Sequence, residues 1–124
     1  MDVQLDPRGT VELELMGLKL KMVPSFKNLS MLERSTGKGC VFIYQQSRMG
    51  NIAVSEIAMG IAMVARPVEK GVKLPKEWDA NTVGQAIMDE GFDTYVGVFC
   101  EWLNAAMSAG PKKRTEEDPE SGEA

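Results

Sequence analysis

The sequence predicts an α+β fold: an N-terminal antiparallel β-hairpin, then four to five packed α-helices, then a disordered acidic C-terminal tail. Three observations predict it. Thr10 to Val23 alternates apolar and charged side chains with period two, the pattern of half-buried strands. Phe92 to Met107 repeats apolar residues at steps of three and four, the pattern of one buried helix face. After Gly110 the chain turns charged and loses its apolar anchors. Residues 1–110 therefore read as one domain and 111–124 as a solvated tail.

Met1 to Arg8 reads as a loose leader. In the hairpin, Val11, Leu13 and Leu15 alternate with Glu12 and Glu14, and Leu18, Leu20 and Met22 alternate with Lys19 and Lys21. With Met16-Gly17 as the turn, Glu14 faces Lys19 and Glu12 faces Lys21, while Leu13 meets Leu20 and Val11 meets Met22. One register satisfies both faces. Methionine suits a mirror-image type I turn poorly, so a bulge at Gly17 is the alternative there.

Ser25 is placed to cap a helix from Phe26 to about Thr36, with Phe26, Leu29 and Leu32 on its inner side and Gly37 closing it. Cys40 to Met49 reads as strand by propensity over Val41 to Tyr44, but its neighbours favour a short helix, and helix is the assignment. Ser55 caps the next helix, which runs to about Arg66 before Pro67. Ile57, Ile61, Val64 and Ala65 form one apolar side and Met59 and Met63 a second. A helix apolar nearly all round is either enclosed by the core or half covered by a partner. Met59 and Met63, with Ile61 between them, are thus the candidate partner contacts. Trp78, in the lysine-rich connection from Val68 to Ala80, either pins that loop to the body or stacks on a ligand. Thr82 and Gln85 match a capping box opening a helix to Glu90. Gly91 separates it from the Phe92 helix, which Gly110-Pro111 stops. Four of the chain's eight Phe, Trp and Tyr side chains lie on that last stripe, which marks it as the main wall of the core.

Composition narrows the function. The 124 residues carry a net charge of -4, which argues against nucleic-acid binding, since phosphate calls for a basic surface. No apolar run is long enough to cross a bilayer. The chain has no histidine, which removes the commonest general base and the commonest metal ligand. No nucleophile triad, zinc set or glycine-rich phosphate loop appears, so no catalytic residue, metal or cofactor is expected. Cys40 and Cys100 read as buried free thiols of a reducing compartment, with a disulfide as the alternative. Asp89, Glu90 and Asp93 could together hold a divalent cation, but their places match ordinary helix-end charges.

The stretch Gly9-Thr10-Val11-Glu12-Leu13-Glu14-Leu15-Met16-Gly17-Leu18-Lys19-Leu20-Lys21, running on to Ser25, Leu29, Leu32-Glu33 and Gly37, resembles the tail assembly chaperones of long-tailed phages and gene transfer agents. The later piece Thr82 to Gly91 and the amphipathic helix after it are similar to that family as well. The resemblance covers roughly Gly9 to Gly110. Two places depart from it: Met16 stands where an aspartate would be typical, and Cys40 to Gln46 is unusually aromatic. The resemblance implies a non-enzymatic protein of the host cytoplasm, absent from the mature virion. It implies that the chain binds the tape measure protein and keeps it soluble until tail tube subunits assemble. It also implies a longer product made by ribosomal slippage, with Pro111-Lys112-Lys113 as the site, and an extension that engages the tail tube protein. Read plainly, the same lysines are a basic patch after a helix C-terminus. A homo-oligomer stays open among the partner expectations. The alternative function is a structural virion component, a tail tube or tail completion protein.

Overall fold

A computed structural model describes residues 9–108 of the chain. The hairpin is as the alternation requires. Strand β1 (Val11–Leu15) pairs antiparallel with β2 (Leu18–Met22), with Val11 opposite Met22, Glu12 opposite Lys21, Leu13 opposite Leu20 and Glu14 opposite Lys19. The inner residues of both strands are buried, except Leu18 beside the turn, which is half-buried, and the glutamates are exposed. Leu15 pairs directly with Leu18, so the loop is two residues without a bulge at Gly17. Met16 and Gly17 both take left-handed backbone angles, with φ of 56° and 76°. This is the mirror-image turn that strand twist favours. A methionine there costs about 1–2 kcal/mol. The Met16 N–H donates to the Glu90 carboxylate at 3.1 Å, a charge-assisted bond that offsets the cost.

Helix α1 (Phe26–Thr36) starts at Ser25, whose hydroxyl accepts the Asn28 N–H, and ends at Gly37 in the left-handed region. Its inner side differs from expectation. Leu32 is buried and Leu29 half-buried, but Phe26 is 85% exposed. Steps of three residues fall about 60° short of a full turn each, so Phe26 sits about 120° round from Leu32. Helix α2 (Cys40–Arg48) confirms helix over strand. The Glu33 carboxylate accepts the Cys40 N–H at 2.8 Å and so caps α2 from the preceding helix.

Helix α3 (Val54–Val64) begins and ends earlier than the sequence reading placed it. Ala53 is the N-cap residue and no side chain caps it, so Ser55 lies inside the first turn. At the other end Ala65 is already extended, and Arg66–Pro67 forms a third strand, β3. Pro67 forces Arg66 out of the helical region. The freed backbone pairs with β2, Arg66 opposite Lys21 and Pro67 opposite Leu20, giving a sheet of order β1-β2-β3. Helix α4 (Ala80–Glu90) is capped by Asp79, whose carboxylate accepts the Thr82 N–H at 2.8 Å. Thr82 and Gln85 are therefore within the helix, not at its start. Asp79→Ala is expected to cost about 0.5–2 kcal/mol, and Thr82→Ala clearly less, by chemical denaturation.

Helix α5 (Phe92–Ser108) presents Tyr95, Phe99, Trp102 and Leu103 to the core, all buried. α3 lies between α1, α4 and α5 and supplies Ile57, Ile61 and Val64, also buried. The main side of α3 is thus core, and Met59 and Met63 are left half-buried. The 111–124 tail and the Pro111-Lys112-Lys113 site lie outside the described residues.

Candidate partner-binding groove

The N-terminal half of α3 and most of the length of α4 flank a groove of about 470 Å³. Its lining comes from Val54, Ser55, Ala58 and Met59 on α3 and from Ala80, Asn81, Gly84, Gln85 and Met88 on α4. The matching order of these residues follows from local sequence. Ala58 and Gly84 are small, so the two helices approach closely there: a Cβ on Gly84 would sit 3.3 Å from that of Ala58. The larger Val54, Met59 and Met88 stand above this floor. Val54 and Met88 are about half exposed, unusual for large apolar side chains in a small domain. No lining residue carries a charge, although charged residues make up 26% of the chain. The groove can therefore cover an apolar, uncharged surface, and methionine side chains can adapt to its shape.

The sequence candidates divide on this geometry. Met59 lines the groove. Met63, one turn on, packs half-buried against the core and is not among the groove residues. Ile61 has no exposed surface and cannot touch a partner; it faces the opposite side of α3 and belongs to the core. Trp78 is half-buried, and its indole N–H donates to the Ala62 carbonyl at 2.9 Å. That bond pins the long connection to the end of α3, the first of the two readings of this residue. Sequence reasoning missed Met88, Val54 and Gly84. Met88 was visible as an apolar residue on the α4 face away from Val83 and Ile87, but only the pairing of α4 with α3 brings it to Met59.

A second apolar patch, Val41 and Phe42 on α2 with Met49 just after its end, is also exposed. Cations lie along that helix: the Lys38 ammonium sits 5.7 Å from the Phe42 ring centre, and the Arg48 guanidinium 5.8 Å from that of Tyr44. The α3–α4 groove is concave and uncharged, and so better suited to an apolar partner.

The carboxylates near the α4–α5 break do not form a cation site. Glu90 accepts from Met16 N–H, Asp89 accepts from the Gln85 amide at 2.9 Å, and no three metal-binding side chains cluster among the described residues. Both cysteines are free thiols. Burial, reinforced by the Glu33 carboxylate, pushes Cys40 up to about 11, and burial also raises Cys100 against a bond to Ser47. Both stay protonated at neutral pH and are poor nucleophiles. Glu56, only 8% exposed, pairs with Lys38 at the start of α3. Among the described residues no helix is long and apolar enough to cross a membrane.

Compared with known proteins, the chain matches no family model, no curated protein and no solved structure.

Proposed function

We infer that this chain is a non-enzymatic tail assembly chaperone of a long-tailed phage or prophage. In this reading it holds apolar helices of the tape measure protein in the α3–α4 groove until tail tube subunits assemble. The observation that carries the proposal is the uncharged, methionine-rimmed groove with a small-residue floor. A tape measure chain is long and largely helical, and its unassembled helices expose apolar stripes. A groove between two helices receives such a stripe through side chains at helical spacing. Methionine rims accept many sequences in turn, which a chaperone of a long chain requires. Short strands fit this role better than that of a tube subunit, because β1 and β2 are five residues each and offer little length for pairing between subunits.

The test is co-expression with the tape measure protein from the same genome. Met59→Lys with Met88→Lys places two charges on the groove rim, where both side chains already reach solvent. The double variant is expected to keep its helical circular dichroism and to lose co-purification of the tape measure protein. Undiminished co-purification overturns the assignment of the groove.

A further inference from the structure

β1 is the outermost strand of the sheet among the described residues, and it meets two side chains from the α4–α5 junction. In a ladder closed by a two-residue turn, Val11, Leu13 and Leu15 direct their backbone groups toward β2, and Glu12 and Glu14 direct theirs away. Such outward groups are a template for pairing with another strand. Here the Tyr95 hydroxyl donates to the outward Glu14 carbonyl, and the Glu90 carboxylate accepts the outward Met16 N–H at 3.1 Å. The two side chains also meet each other, with the Tyr95 hydroxyl 3.3 Å from the Glu90 carboxylate. The opposite edge needs no such guard: β3 is two residues long, and its Pro67 has no N–H to offer.

We propose that Glu90 and Tyr95 form a latch over the outer edge of β1, which blocks pairing of that edge with β1 of a second copy. The second copy is the occupant the strand itself specifies. Antiparallel pairing of two β1 strands about Leu13 would join their buried apolar rows into one continuous face. It would also set Glu12 of each copy opposite Glu14 of the other. That like-charge contact is a second barrier behind the latch. The chain's state of association is thus held at the helix junction, where Gly91 takes a φ of 121° and joins α4 to α5 without an intervening loop.

The test is the mass in solution of four forms of the full chain, by light scattering over a concentration series. These are the natural chain, Glu12→Gln with Glu14→Gln, Glu90→Ala with Tyr95→Phe, and the combination of all four substitutions. The quadruple variant is expected to reach twice the mass of the natural chain, and the Glu12/Glu14 pair alone to keep the natural mass. A quadruple variant of unchanged mass overturns the proposal. So does doubling by the Glu12/Glu14 pair alone, because the latch would then be irrelevant. Hydrogen exchange provides a readout that does not depend on the quadruple variant folding. The Met16 amide is expected to exchange at least several-fold faster in Glu90→Ala than in the natural chain. Equal rates overturn the latch.

Discussion

Phe99→Ala is expected to lower the unfolding free energy by about 3–5 kcal/mol, the range for removing a fully buried aromatic ring. Phe99 is fully buried on α5, with its ring centre 6.0 Å from that of Trp102. It also lies against α3 at Gly60, where a Cβ would collide with the ring and come within 3.3 Å of Leu32. Gly60 thus lets α5 approach α3, and the ring fills the space the glycine leaves. The converse substitution, Gly60→Ala, overpacks the same contact and is expected to cost about 1–3 kcal/mol, although alanine is the better helix former. The two effects share one cause, so they are not additive. In the Phe99→Ala background Gly60→Ala should cost little or even stabilise, because its methyl group enters the cavity. Urea denaturation of the two single variants and the double variant measures the coupling.

Leu20→Ala is the second large effect, at about 2–5 kcal/mol. Leu20 is fully buried in the central strand, opposite Leu13 on one side and Pro67 on the other. Truncation leaves a cavity at the junction of the sheet with the helices. Glu14 and Lys19 also face each other across the hairpin, but on the exposed side. Substituting either is expected to cost under about 1 kcal/mol, because solvent screens the pair. Thermal unfolding of Leu20→Ala beside Glu14→Gln separates the contributions of the two faces.

What could be read from the sequence was what depends on local pattern. Period two fixed the hairpin register residue by residue, since a slip by one would bury Glu12 and Glu14. The aromatic stripe of α5, and Ser25 and Gly37 around α1, are local signals too. The differences arose where two signals competed, some of them local and some set by distant contacts. Met16 accepts a strained turn because Glu90, far along the chain, receives its N–H. Arg66 leaves the helix because Pro67 follows it and β2 is there to pair with it. Asp79 outcompetes Thr82 as a cap, although the sequence of Thr82 and Gln85 fits a capping box. The groove was half legible: Met59 stood out on a helix apolar all round, but Met88 joins it only through the packing of α4 on α3. Ile61, grouped with Met59 by sequence proximity, lies on the buried side of the same helix.

We propose that an apolar helical partner sits between α3 and α4. Hydrogen exchange of this chain, alone and in complex with the tape measure protein from the same genome, tests it most directly. The predicted result is slowed exchange confined to the first half of α3 and to α4, including the residues around Ala58 and Gly84. Slowed exchange on α2 around Phe42 and Met49, with α3 and α4 unchanged, would contradict it.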